Sequence, residues 1–178
     1  LVNIYGGGFS GYVTGDALVT TDGQLACRNV FGGGLGSLPE KPTGNETYGE
    51  VGGDAGVYIH SGIVSLNVFG GGAGVESIDK DKDGTIDTDF PYIARVKGKT
   101  EVEVYGEAVS MPSDVPTADG NGYQTYDMER VLVFGGVYGG GDVACVGTTK
   151  KDAAVLDVSS TDFTTSVSIY GSSILSAA

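Results

Sequence analysis

LVTTDGQLACRNVFGGG (Leu18–Gly34) and VYIHSGIVSLNVFGGG (Val57–Gly72) are two versions of one phrase: a short β run, a Gly turn, a second β run and a glycine corner. A third version of the corner, NIYGGG, occupies Asn3–Gly8. Glycine inside regular structure costs roughly 0.5–1 kcal/mol relative to alanine, because it loses the most backbone freedom on folding. Repeated triplets therefore need a geometric reason. Taking the aromatic residue before each glycine as a marker gives Tyr5, Phe31, Phe69, Tyr105, Phe134 and Tyr170, spaced 26, 38, 36, 29 and 36 residues apart. Recurrence at about 20–50 residues is the mark of a solenoid or a propeller. Propeller blades need about 40 residues and four strands each, with tight hairpin signals that this sequence lacks.

The reading is all-β, a right-handed parallel β-helix (β-solenoid) in which coils stack about 4.8 Å apart. Residues 1–178 form a single solenoid domain or a segment of a longer one. The glycines are expected to supply positive φ at the corners, and the Tyr or Phe before them to stack inward as a ladder. Loop insertions are expected at about 35–56, 74–97 and 111–130, at equivalent points of successive coils and so on one side. Tyr48, Tyr92, Tyr123 and Tyr126 lie in or beside these inserts and are candidates for stacking on sugars or peptides. The plainer alternative is that the inserts only cover apolar edges.

The totals agree with an all-β chain. Of 178 residues, 32 are glycine, five proline and none tryptophan, and no ten-residue run carries a helical apolar stripe. The net charge of −13 repels nucleic acid and anionic membrane surfaces. No run approaches the roughly 20 apolar residues of a membrane span, and no signal-peptide pattern opens the chain. Leu1 starts in mid-strand and SVSIYGSSIL near the end reads as the opening of another coil. Without capping repeats, the expectation is either a longer parent chain or end-to-end self-association of copies.

The sharpest chemical motif is IDKDKDGTIDTDF, Ile78–Phe90. Asp79, Asp81, Asp83 and Asp87 around Gly84 match a calcium loop, with Thr85 offering its carbonyl, Ile86 as apolar anchor and Asp89 completing the shell. Carboxylates two residues apart converge on one ion in a tightly turning loop, and hard oxygen donors select Ca²⁺. Position twelve is Phe90, so the bidentate glutamate of an EF-hand is missing. A solvated acidic loop is the plain alternative.

Other motifs carry less. Gly6, Gly8 and Gly11 satisfy G-x-G-x-x-G, but the residues that follow are β-like, so no helix N-terminus waits for a pyrophosphate. His60, the single histidine, alternates with Val57 and Ile59 on a strand and reads as a surface or ladder residue. Cys27 and Cys145, several coils apart, are expected to be free and buried.

The phrases NVFGGG, VNIYGGG and VYGGGD resemble the glycine-rich repeats of large adhesin-like secreted or surface proteins of gut Bacteroidetes and Firmicutes. DKDKDGTID is similar to the calcium loops of extracellular repeat proteins of the thrombospondin kind. These resemblances imply an extracellular or cell-surface bacterial setting. They also imply a non-catalytic structural or adhesive module, stiffened by calcium, with a glycan or a host or bacterial surface protein as partner. The rival reading is a carbohydrate-active β-helix enzyme, a polysaccharide lyase or tailspike-like glycosidase, which needs acids and a basic residue converging on one face.

Overall fold

The computed structural model describes residues 1–23, 25–105, 117–118, 124–125, 131–147 and 164–170. It is all-β, with no helix among those residues. The strands are β1 (Ile4–Tyr5), β2 (Ala17–Thr21), β3 (Ala26–Cys27), β4 (Val30–Phe31), β5 (Ala55–Ile59), β6 (Gly62–Val64), β7 (Val68–Phe69), β8 (Thr100–Tyr105), β9 (Thr117–Ala118), β10 (Gln124–Thr125), β11 (Val131–Val133), β12 (Val137–Tyr138) and β13 (Thr165–Tyr170). Three sheets are parallel: β1-β4-β7-β12, β2-β5-β8-β13 and β3-β6-β11. The short pair β9 and β10 is antiparallel.

The chain visits these sheets in a fixed order. From the β1 sheet it passes two single-residue ladders, Phe9–Leu35–Ala73–Asp142 and Val13–Val51–Val96–Val146, and then enters the β2 sheet. The β3 sheet follows, and the chain returns beside its own start. One circuit takes 26 residues from Ile4 to its partner Val30, 38 from Val30 to Val68 and 69 from Val68 to Val137. The extra length has definite places. Phe9 and Val13 are four residues apart, whereas their counterparts Leu35 and Val51 are 16 apart and Ala73 and Val96 are 23 apart. The first two inserts thus leave between the same two ladders. In the third circuit another insert separates β8 from β11. Of the 111–130 stretch only β9 and β10 are described, and Tyr123 and Tyr126 lie outside the described residues.

Alternation explains the core. β2, β5 and β8 bury every second residue, so that Val19, Val57 and Val102 form one column and Thr21, Ile59 and Val104 the next. Cys27, Val64 and Val133 make a third, and Ile4, Val30, Val68 and Val137 a fourth. Most of these side chains belong to one apolar cluster, with Ile4 and Val137 packed against it. β-Branched residues suit it because their stiff χ1 packs well on a pleated surface. Fully burying each valine is worth about 1.5–3 kcal/mol.

Polar side chains stack at the corners. Asn29 donates to the Asn3 carbonyl and accepts from the Asn67 N–H at 2.9 Å, and Asn67 in turn accepts from the Gly136 N–H. Asp16 accepts from the Asp54 N–H, and Asp54 from the Lys99 N–H, both at 2.8 Å.

The glycine triplets do bring circuits together, but for a different reason from the expected one. None of the residues at 6–8, 32–34 or 70–72 has positive φ. What excludes a side chain there is proximity. A Cβ at Gly7, Gly33 or Gly71 would sit 2.7, 2.6 or 2.7 Å from the nitrogen of Gly34, Gly72 or Gly141 on the next circuit.

The six aromatic markers also divide among three columns. Tyr5, Phe31, Phe69 and Tyr138 stack at 4.9–5.0 Å, so the fourth member of that ladder is Tyr138 of VYGGG. Val30 and Val68 enter the main cluster, while Phe31 and Phe69 are buried against one another. Tyr105 and Tyr170 stack on each other at the ends of β8 and β13, and Phe134 follows β11. An aromatic residue before glycine suits any strand end, so the phrase alone does not identify its column. His60 is exposed just past the end of β5, edge-on to Tyr105. Both cysteines are free, Cys27 buried but Cys145 exposed, because Cys145 lies outside the alternating strands. Burial pushes the Cys27 thiol up to about 11.

Candidate metal centre

The calcium-loop motif sits at the tip of the second insert. Its base is closed by an antiparallel bridge between Ile78 and Thr88, with hydrogen bonds of 2.7 and 3.0 Å in the two directions. Below it Phe90, Ile93 and Ala94 form a small buried cluster against which Val75 and Ile78 pack. Ile78 and Phe90 therefore anchor the loop. Ile86, expected in that role, is 54% exposed, since the bridge has already turned the chain away from the cluster.

Asp79 is the hub of the tip. Its carboxylate accepts the N–H groups of Lys82 at 2.7 Å and Gly84 at 3.0 Å, which wraps the chain around one side chain. That wrapping requires left-handed backbone at Lys82 (φ 58°) and Gly84 (φ 89°), and glycine adopts the second without strain. Asp87 accepts from Lys80 N–H at 2.7 Å, folding the far side of the loop back. Carboxylate oxygens of Asp79, Asp81 and Asp87 lie within 4.8 Å of one another. Asp83 instead accepts the N–H of Thr85, and Asp89 accepts the Ser77 hydroxyl at 2.6 Å and the Phe90 N–H at 2.9 Å. Of the motif's carboxylates, those of Asp79, Asp81 and Asp87 are thus brought together, while Asp83 and Asp89 accept hydrogen bonds from Thr85, Ser77 and Phe90. Three clustered carboxylates with hard oxygen donors fit a divalent cation of calcium's kind, which takes 6–8 oxygens including water.

Beneath the tip lies a charged arrangement that no local motif signals. Arg95 and Glu50 are each almost fully buried and paired, with Nε to carboxylate at 2.9 Å, and Lys97 reaches the other Glu50 oxygen at 3.0 Å. The Arg95 guanidinium lies 4.6 Å from the centre of the Tyr92 ring, and Lys97 lies over Tyr12. The bond to Glu50 holds the Lys97 ammonium above its ordinary value. Glu50 and Arg95 immediately precede Val51 and Val96, which are ladder partners, so register is the signal that pairs them. Tyr92 is buried in this arrangement and has no face free for a sugar; Tyr48 remains partly exposed.

The outer face of the β2 sheet holds a shallow groove of about 440 Å³ that brings Asp16, Asp54, Glu101 and Lys99 together around Leu18 and Tyr58. Asp16 and Asp54 hold backbone N–H groups of the next circuit, and Glu101 accepts the Tyr58 hydroxyl at 2.7 Å. That bond to an anion, with some burial, pushes the Tyr58 phenol up to about 12. Each acid thus has a structural partner. Among the described residues no helix is long and apolar enough to cross a membrane. No family model, no curated protein and no solved structure matches this chain.

Proposed function

We propose that the chain is a right-handed parallel β-helix segment of a secreted or surface-attached bacterial protein, acting as a structural and adhesive module rather than as an enzyme. The observation that carries this reading is the fixed order in which four circuits revisit the same ladders, with the first two inserts leaving between the same pair of them. A scaffold of this kind extends in one dimension and presents its loops on one side, the usual binding face of a repeat protein. A glycan or a surface protein is the partner for that face, with Tyr48 as its accessible aromatic residue.

Calcium at Asp79, Asp81 and Asp87 stiffens the second insert. Bound to the folded chain alone, it raises stability by about 2.7 kcal/mol at a free concentration a hundred times its dissociation constant. Thermal unfolding with calcium and with chelator tests this. The melting temperature rises with calcium in the native chain, and the rise disappears in Asp79→Asn plus Asp87→Asn. Equal melting in all four samples reduces the loop to a solvated acidic turn. Adhesion is tested separately, by binding of the immobilised protein to an array of mucin-type glycans and to intact bacterial and epithelial surfaces. Retention by none of them removes the adhesive half of the reading and leaves the scaffold.

A further inference from the structure

Gly56 lies inside β5, and neither of the reasons that call for glycine elsewhere in the fold applies to it. Its φ is not positive, and the three atoms nearest a Cβ built there all belong to side chains: Leu18 Cδ1 at 3.1 Å and two atoms of the Tyr58 ring at 3.3 and 3.7 Å. Glycine inside a strand weakens it, and one of its uses is to leave room for a ligand. Here the room has a structural effect. Tyr58 is in register with Glu103, yet its hydroxyl donates at 2.7 Å to Glu101, the register partner of Gly56. The ring leans across the space that a side chain at 56 would fill, and the bond holds ring and carboxylate side by side.

These groups lie in the groove on the outer face of the β2 sheet. β5 and β8 are the inner strands of that sheet, so this part of the groove opens sideways from the stack and not at either end of it. Asp16, Asp54, Lys99 and Glu101 line the groove and are all exposed. Their structural bonds use one oxygen of each carboxylate: Oδ1 of Asp16, Oδ1 of Asp54 and Oε2 of Glu101. The second oxygen of each accepts no hydrogen bond from the described residues. Three carboxylates against one ammonium leave an excess of two negative charges, and Glu103 adds another in the neighbouring row. The charge of −13 on the whole chain draws cations from a distance.

The chain shows elsewhere what a tyrosine ring beside a glutamate holds. Arg95 lies 4.6 Å from the centre of the Tyr92 ring and donates to the Glu50 carboxylate. The groove offers the same two partners, Tyr58 and Glu101, and no arginine lines it. We propose that the groove is the docking site for a basic segment of a protein partner, with an arginine of that segment placed against the Tyr58 ring and bonded to Glu101. A planar guanidinium makes both contacts at once, since it stacks on an aromatic face and forks onto carboxylate oxygens. The free oxygens of Asp54 and Asp16 take a second basic residue further along the groove. This inference gives a chemistry to the surface-protein partner of the adhesive reading, and it needs neither calcium nor a glycan.

The test is fluorescence anisotropy of a labelled peptide of alternating glycine and arginine, titrated with the full chain at physiological ionic strength, beside a counterpart of glycine and glutamate. The native chain binds the arginine peptide and leaves the glutamate peptide free. Glu101→Gln weakens binding about fivefold, the worth of one surface ion pair. Gly56→Val alters no charge but displaces the Tyr58 ring, and weakens binding by a similar factor through the lost cation–π contact, about fivefold. Glu40→Gln removes the same charge from an exposed site on the first insert and changes affinity less than about twofold, because salt screens distant charges. A native chain that does not bind the arginine peptide overturns the proposal, as do Gly56→Val and Glu101→Gln chains that bind it like the native one. Equal weakening by Glu40→Gln also overturns it, since the attraction is then diffuse. A neutral oligosaccharide bound in place of the peptide, and lost in Gly56→Val, gives the groove to a sugar and overturns the cationic occupant. Where Gly56→Val melts low, Gly56→Ala replaces it, because its Cβ asks only the Leu18 and Tyr58 side chains to yield. Peptide binding by a chain that no glycan array or cell surface retains supports the groove and removes the adhesive reading, so the two fail separately.

Discussion

The stacked circuits and the two inserts that leave between the Leu35–Ala73 and Val51–Val96 ladders are held together by opposite means. In the circuits the same small set of residues recurs at the same register, and stability comes from valine on valine and glycine on glycine. In the inserts nothing repeats, and opposite charges do the joining: Glu50 from one insert, Arg95 and Lys97 from the next. Repetition lets one local solution serve every level. An insert has no neighbour of its own kind and must fix its position by a specific partner. A buried ion pair supplies specificity better than net stability, because desolvation offsets much of its attraction.

The contrast can be broken most directly at Glu50. Glu50→Ala leaves Arg95 without its buried counter-charge and is expected to lower stability by about 3–5 kcal/mol in urea unfolding. The double change Glu50→Met plus Arg95→Met is expected to recover much of that loss, because it removes both charges together. If the single change is nearly silent, the inserts are not tied to the circuits by this pair. Next in size is Gly71→Val, which drives a side chain into the Gly141 backbone and should lower stability by about 3 kcal/mol. The same substitution at Gly140 should change nothing in the isolated chain, which makes the pair a direct measure of what the neighbouring circuit contributes.

Val57→Ala empties part of the column between Val19 and Val102 and should lower stability by about 2 kcal/mol, transfer and cavity together. A clearly smaller loss would mean that the circuits slide to close the gap. The smallest effect belongs to the outer face. Tyr58 is held protonated up to about pH 12 by its bond to Glu101. The folded pKa lies above the ordinary value of 10, so the contribution of this bond is complete below pH 10 and is lost as pH rises through 12. Ultraviolet titration should show one tyrosine ionising late, and Tyr58→Phe should remove it while leaving melting near neutral pH almost unchanged.

How much was legible in the sequence differs between these two regions. The Val/Ile/Tyr alternation and the NVFGGG corners announced parallel β circuits, because a pattern of period two with repeated glycine has few other uses. The same pattern misassigned Tyr105, Phe134 and Tyr170 to the corner column, since the aromatic-glycine phrase fits any strand end and the third circuit's inserts conceal the true spacing to Tyr138. In the loop, the convergence of the Asp79, Asp81 and Asp87 carboxylates was readable from spacing, because groups close in sequence need only one tight turn to meet. Nothing local separated them from Asp83 and Asp89, whose carboxylates turn to Thr85, Ser77 and Phe90.

Glu50 and Arg95 were invisible for a related reason. They are 45 residues apart, and only the pairing of Val51 with Val96 sets one above the other. The sequence by itself determined what each circuit is made of and where it turns, because alternation and glycine act through neighbouring residues. The tertiary structure alone decided which circuit lies on which, and with it why the triplets must be glycine. Their φ angles are ordinary, and for the first two glycines of each triplet the constraint is a backbone that arrives within 3 Å from the next circuit, from Gly32 against Gly6 to Gly141 against Gly71.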